Sequence, residues 1–224
     1  MGNLVTVAIT SYNHANYIEE CIESIYNQSF RNIELIIIDD ASSDNSVEII
    51  NEMTKKAPFP VEKIFLEKNK GLVNVRNTIL EKKLSKYVLF VDSDNFLPKN
   101  YIEELNKVAE KDNADIIYTD LKEIGTDKIF MKSKEYSMDS LLKQNYIDSC
   151  SLIRTSIIGE IRYDQYLNYK KLEDYDFFLN LIINQNAVPK YCKSSFLNYR
   201  VLTSSLSRKG EHNSEKYYYE LYIY

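Results

Sequence analysis

The sequence has no tryptophan and few of the residues that mark several protein classes: two histidines, three cysteines, four prolines and five glycines in 224 residues. Cys21, Cys150 and Cys192 are odd in number, far apart and without C-x-x-C or C-x-x-H spacing. This excludes a disulfide frame and a cysteine zinc site and points to a reducing, cytoplasmic setting. No apolar run approaches the ~20 residues needed to cross a bilayer. The start lacks a basic region followed by a long apolar stretch, so the chain reads as unsecreted. Met1-Gly2-Asn3-Leu4-Val5-Thr6 fits a loose myristoylation pattern, but Leu4 to Thr10 is wanted as a buried strand. Basic blocks are missing too: 28 basic against 33 acidic residues give a net charge of −5, which argues against nucleic acid as a main partner. With no Gly/Pro/Ser linker, repeat or low-complexity stretch, residues 1–224 read as one domain in two halves, 1–98 and 99–206, with a tyrosine-rich tail at 207–224.

What is present is a globular composition, 44% hydrophobic and 27% charged, with 19 tyrosines. The tyrosine excess reads either as compositional bias, alongside abundant asparagine, lysine and isoleucine, or as rings available for stacking on sugars and bases. The apolar residues alternate between two rhythms. Leu4 to Ile9 is a β-rich run, followed by Ile18, Cys21, Ile22 and Ile25 at helical spacing. Ile33 to Ile38, Val61 to Leu66 and Tyr87 to Val91 repeat the strand pattern. Val47, Ile50 and Met53, and Leu72, Val75 and Ile79, repeat the helix. Continuous apolar strands alternating with helices predict an α/β fold, a mainly parallel twisted sheet covered on both faces. Beyond Asp94 a helix is expected from about Pro98 to Lys111 and a strand over Ile116 to Thr119. From Leu121 to Gln165 the signals are short: Ile129-Phe130 and Ser149 to Arg154 are strand-like around a helix at Ser137 to Asn145. A helical stripe at Phe177, Phe178, Leu181 and Ile182 and a last strand at Phe196 to Val201 complete the pattern.

In open α/β sheets, ligands bind beyond the carboxyl ends of the strands. The first strand delivers Thr10-Ser11-Tyr12-Asn13 to that rim, the second Asp39-Asp40, the fourth Asp92-Ser93-Asp94. Asp92 and Asp94, spaced i, i+2 on extended chain, share a side while Ser93 points away. Hard oxygen ligands at that spacing suit Mg²⁺ or Mn²⁺, which would bridge to a diphosphate. The alternative is a strand-end turn in which the aspartates accept backbone N–H bonds.

Taken together, Val7 to Asn13, Leu35 to Asp44, Asn69-Lys70-Gly71 with Arg76-Asn77, and Phe90 to Asp94 closely resemble the nucleotide-sugar domain of the family 2 glycosyltransferases of the GT-A fold. The resemblance extends over about residues 4 to 206. It implies a Rossmann-like nucleotide half followed by an acceptor half. It further implies a metal-dependent inverting transferase that moves a sugar from a UDP-sugar to a hydroxyl of a glycan, lipid-linked or protein-linked acceptor. Tyr12 would stack on the base and Asp40, or less favourably Asp39, would accept from its N3–H. Thr10 and Ser93 belong to the same donor-binding strand ends. Arg76 would contact the base or a phosphate, with a surface salt bridge as its structural alternative. Asp92 would bind ribose or a metal-bound water, and Asp94 would ligate the metal. Asn95 stands where the family often has a fourth acid.

Leu172-Glu173-Asp174-Tyr175-Asp176-Phe177 resembles the family's acidic motif, making Asp174 the base that deprotonates the acceptor. These acids also suit the first turn of a helix, where they complement its dipole. Cys150 to Arg154 matches the family's acceptor-side loop and strand. Tyr199 to Ser207 resembles its closing segment, in which Arg200 would offset phosphate charge, but Leu202 stands where many members carry a histidine metal ligand. His14 and His212 read as surface residues. The rival reading is a catalytically silent nucleotide-sugar binder on the same fold. A nucleotidyltransferase would want a Gly-rich loop in place of Ser11-Tyr12-Asn13-His14, and a receiver domain would explain neither Arg76 nor Glu173-Asp174. Residues 213–224, with five tyrosines after Lys216, suggest packing or a homodimer contact ahead of a peripheral membrane contact.

Overall fold

The computed structural model describes residues 5–202. The expectations placed on Met1 to Leu4, Thr203 to Ser207, His212 and the tail therefore lie outside the described residues. Sixteen elements follow one another in the described chain. The first part alternates β1 (Val5–Ser11), α1 (Ile18–Tyr26), β2 (Ile33–Asp39), α2 (Ser46–Thr54), β3 (Val61–Phe65), α3 (Leu72–Leu80) and β4 (Tyr87–Asp92). Next come α4 (Tyr101–Lys111), β5 (Ile116–Glu123), β6 (Ile129–Met131) and α5 (Met138–Lys143). The chain then forms β7 (Leu152–Arg154), α6 (Thr155–Ile158), a 3₁₀ turn at Gln165–Leu167, α7 (Glu173–Gln185) and β8 (Pro189–Tyr199).

The strands form one sheet in the order β3-β2-β1-β4-β7-β5-β6, with β8 added beside β5. β3, β2, β1 and β4 are parallel. Their carboxyl ends, and hence the three polar strand ends, share one edge. β1 is buried at every residue, the condition that a strand covered on both faces meets with an unbroken apolar run. Val5, Val7 and Ile9 face a core shared with the apolar stripes of α1 and α4. Ala8 and the alternate residues Ile36, Ile38, Val88 and Phe90 face a second core built on α3 and α7. Each core draws residues from both sides of position 98.

Two departures from the sequence pattern position the site. β7 lies between β4 and β5, antiparallel to both, so its amino end meets the rim where β1, β2 and β4 finish. It is also shorter than the Ser149–Arg154 pattern suggests. Cys150 N–H donates to Asp148 Oδ1 at 2.8 Å and Ser151 Oγ to Asp148 O at 2.6 Å, and such local bonds compete with the ladder. β8 begins at Pro189, well before the expected Phe196. Its pairing with β5 shifts register between Tyr118 and Asp120, and Lys193 and Ser194 are exposed at that irregularity. The extra residues of the bulge break the period-two pattern and hide the strand.

Candidate active site

The loops after β1 and β2 are stitched together by short side chains. Asn13 N–H donates to Ser42 Oγ at 2.8 Å, and Ser43 N–H donates to Asn13 Oδ1 at 2.8 Å. Asn13 and Ala41 both take positive φ. Asp39 is spent inside its own turn, accepting Ser42 N–H at 2.8 Å and Ser42 Oγ–H at 2.6 Å. Asp40 spans to the next connection, where Oδ1 accepts Lys70 N–H at 2.7 Å and Oδ2 accepts Gly71 N–H at 2.8 Å. Burial pushes the Asp40 carboxyl up, an effect the two N–H bonds oppose. Gly71 has φ +82°, and a Cβ there would lie 2.3 Å from Asn168 Oδ1. Asn168 closes over this turn, its Nδ2 donating to Lys70 O at 2.7 Å. Tyr12, just after β1 on the same rim, is 47% exposed.

At the end of β4 the carboxylates are differently placed. Asp92 Oδ1 accepts Thr10 Oγ1–H at 3.2 Å and Arg76 Nη2–H at 3.0 Å, and Oδ2 has no hydrogen-bond partner among the described residues. The Asp94 carboxyl is pushed up to about 7, first by burial and then by Asp92. Ser93 turns inward, fully buried, its Oγ 2.7 Å from His14 Nδ1. It does not join the two acids in the cleft. Arg200 pins this turn from behind: its backbone N–H donates to Asn95 Oδ1 and its Nε–H to Asp94 O, both at 2.9 Å. Its guanidinium reaches Glu20 at 2.5 Å and lies over the Tyr17 ring.

Arg76 is the cation at the centre. Its side chain is 1% exposed, buried between the acids it pairs with. Nη2 bonds Asp92 and Nη1 bonds Glu173 Oε1 at 3.0 Å, so it joins the end of β4 to the start of α7. The guanidinium lies over the Tyr163 ring, and Tyr163 stacks on Phe177 with centroids 4.1 Å apart. Burial is the largest single influence and alone would favour the neutral form of Arg76, but Asp92, Tyr163, Glu173 and Asp174 together outweigh it, so the pKa rises. The guanidinium keeps its charge.

Asp174 follows Glu173 at this junction. Its Oδ1 accepts Tyr175 N–H at 2.7 Å. Burial, then the charges of Glu173 and Asp148, push its carboxyl well above the ordinary range, against the pull of Arg76. Asp176 lies elsewhere: it is buried, bonded through its carbonyl to Asn180, and pushed up to about 6 by burial and by Asp164. Leu202 is half-buried and carries no ligating atom. Among the described residues no three His, Cys, Asp or Glu side chains form a cluster able to hold a metal ion.

The structure adds three residues that sequence reasoning missed. His14, taken for a surface residue, is half-buried against Ser93, and burial lowers its pKa despite Asp92 and Asp44 nearby. Asn168 caps the Gly71 turn. Asp148 enters beside Asp92 from the loop before β7, pushed up to about 6 by burial and by Asp92. The sequence offered one signal for it, an Asp-x-Cys turn ahead of a short β-rich run. A cavity of about 440 Å³ lined by Asp112, Tyr136 and Lys190 among others sits where β5 and β8 begin, opposite this rim.

Residues 6–162 match the description Glycosyl transferase family 2. An uncharacterized glycosyltransferase of Haemophilus influenzae is 33% identical over 87% of this chain and 78% of its own. The putative teichuronic acid biosynthesis glycosyltransferase TuaG of Bacillus subtilis is 30% identical over 91% and 81%. Among solved structures, S. aureus TarS in complex with UDP-GlcNAc superposes with a TM-score of 0.79 at 20% identity, covering 97% of this chain and 64% of that one. The mannosyltransferase PcManGT of Pyrobaculum calidifontis, in complex with GDP-Man and Mn²⁺, gives 0.72 at 14% identity, covering 92% and 59%. The chain therefore spans less than two thirds of either solved chain. With the family match extending over most of its length and the sheet of the GT-A fold beneath it, the chain belongs to glycosyl transferase family 2 and is a glycosyltransferase.

Proposed function

We propose that this glycosyltransferase moves a sugar, with inversion, from a UDP-sugar to a hydroxyl of a glycan, lipid-linked or protein-linked acceptor in cell-surface glycan synthesis. One observation carries this reading. Arg76 ties Asp92, at the donor strand ends, to Glu173, the neighbour of Asp174, and this link between the two acidic motifs supports a shared site.

The donor base would stack on exposed Tyr12, with Asp40 held beside it by Lys70 and Gly71. Asp174 takes the proton of the acceptor hydroxyl as its oxygen attacks the anomeric carbon. The bond from that carbon to the phosphate oxygen breaks, and UDP leaves with the electron pair. The raised pKa of Asp174 makes it a stronger base than a solvated aspartate. Asn95 and Arg200 fix the backbone of the Asp94 turn, and Arg76 orients Asp92.

A divalent cation, Mn²⁺ or Mg²⁺, fits the excess of acid here: Asp94 is pushed up to about 7 beside Asp92, and among the described residues nothing donates to Asp92 Oδ2. Those two carboxylates would hold it, the remaining ligands coming from the diphosphate and water. When bound, it neutralises diphosphate charge. Support for UDP comes from the TarS complexes, whose fold this chain shares. The test is Asp174→Asn assayed with UDP-sugars, acceptor and Mn²⁺. The variant should bind UDP with unchanged affinity while transfer falls about 10³-fold or more, and undiminished transfer removes Asp174 from the reaction.

A further inference from the structure

The transferred sugar has to lie between the departing phosphate at Asp92 and Asp94 and the acceptor oxygen at Asp174. Asp148 stands against that space. β4 and β7 pair antiparallel with Tyr87 opposite Arg154, Val88 opposite Ile153 and Leu89 opposite Leu152. β7 begins at Leu152, opposite Leu89, so the loop that carries Asp148 leads into β7 beside the carboxyl end of β4, where Asp92 stands. The loop is firmly seated there, since Tyr101 Oη donates to Cys150 O at 2.7 Å from the core and Ser151 Oγ donates to Asp148 O.

Its carboxyl is under-used. Cys150 N–H donates to Oδ1 at 2.8 Å, Ser149 N–H also turns toward the group, and no side chain among the described residues donates to it. A carboxylate offers about four acceptor sites, so at least two remain open. The turn itself does not require a charge, because asparagine serves such turns as well as aspartate. A further half-buried negative charge beside Asp92, Asp94 and Asp174 opposes folding. Its field acts on both motifs, raising the carboxyls of Asp94 and Asp174 alike. A residue that costs stability and faces both the leaving group and the base points to a ligand that needs an acceptor there.

We infer that Asp148 accepts a hydrogen bond from a ring hydroxyl of the transferred sugar and so selects the donor. This rests on the donor reading above. The inference concerns the sugar rather than the diphosphate, because a second unneutralised acid would repel phosphate.

The experiment uses the full chain with Mn²⁺, UDP and the tightest-binding member of a UDP-sugar panel, together with analogues of that donor lacking one hydroxyl at a time. Binding is measured by calorimetry for wild type and Asp148→Asn, which keeps the acceptor for Cys150 N–H. At one position, removal of the hydroxyl should weaken binding to wild type about 10-fold or more but change binding to Asp148→Asn less than about 2-fold, with UDP affinity the same in both proteins. The ligand-free variant should melt no lower than wild type, as expected if a repelling charge and not a scaffold bond has been removed. Equal losses in both proteins at every position overturn the inference, as does loss of UDP affinity in the variant. If wild type binds neither UDP nor any UDP-sugar, the donor reading itself falls, which is a different outcome from either of these.

Discussion

The rim carries two pairs of neighbouring aspartates in opposite circumstances. At the end of β2, Asp39 and Asp40 are buried and their oxygens are met by Ser42, Lys70 and Gly71. Each shapes a loop. At the end of β4, Asp92 and Asp94 meet Asp148, Glu173 and Asp174, with one buried guanidinium among them. Those carboxyls are held in place but left short of partners. A carboxylate saturated by backbone donors acts as a structural tie, whereas one held close to its like is an acceptor waiting for a cation, a proton or a sugar hydroxyl.

The contrast is broken most severely by removing the guanidinium. Arg76→Ala leaves Asp92 and Glu173 facing each other unpaired and should cost about 3–5 kcal/mol, read as a lowered denaturant midpoint. On the saturated side, Gly71→Ala forces a side chain into a left-handed backbone against Asn168 and should cost about 2–3 kcal/mol. Restored stability in Gly71→Ala/Asn168→Gly would place most of that cost in the clash.

The sharpest comparison is one of sign. Asp40→Asn sets an amide N–H₂ against a backbone N–H and should destabilise by about 1–2 kcal/mol. Asp94→Asn removes a repelled charge and should stabilise the metal-free protein by about 1–2 kcal/mol, or about 3–6 °C in Tm for a chain of this size. The pH dependence follows from the raised carboxyls. Asp94 near 7 and Asp148 near 6 bind protons in the folded state that the unfolded chain, with ordinary values near 4, has released. Metal-free stability is therefore highest at acid pH within this window and falls as pH rises from about 4 to 7. The gain from Asp94→Asn should accordingly be larger at pH 8 than at pH 5, and thermal scans at both values check it. Smallest of all, Glu52→Ala breaks an exposed pair with Lys55 at the end of α2 and should leave stability within about 0.5 kcal/mol.

Much of this site was legible in the chain because strand ends are local. The apolar runs before Thr10, Asp39 and Asp92 announce strands, and a parallel sheet brings their carboxyl ends to one edge. Glu173-Asp174 at the head of an apolar-striped helix was equally visible. Arg76 was found, but its surroundings were not. A lone arginine between Val75 and Asn77 on a helix gives no sign that it will be buried between two acids distant in sequence, so a base or phosphate contact or a surface pair was the natural expectation. Asp148 escaped for a related reason: its importance depends on β7 entering antiparallel between β4 and β5, and a three-residue strand has too little periodicity to declare a neighbour.

The sequence by itself determined the alternation of strands and helices, the acids at their ends and the membership in a glycosyltransferase family, because these rest on short-range periodicity and contiguous motifs. Tertiary structure alone decided which acids are spent and which are open. That depends on partners brought from far along the chain: Lys70 and Gly71 to Asp40, Arg76 to Asp92 and Glu173, and Asp148 to the gap between the motifs. Burial and like-charge proximity, which set the proton affinities of these groups, exist only once the sheet has closed.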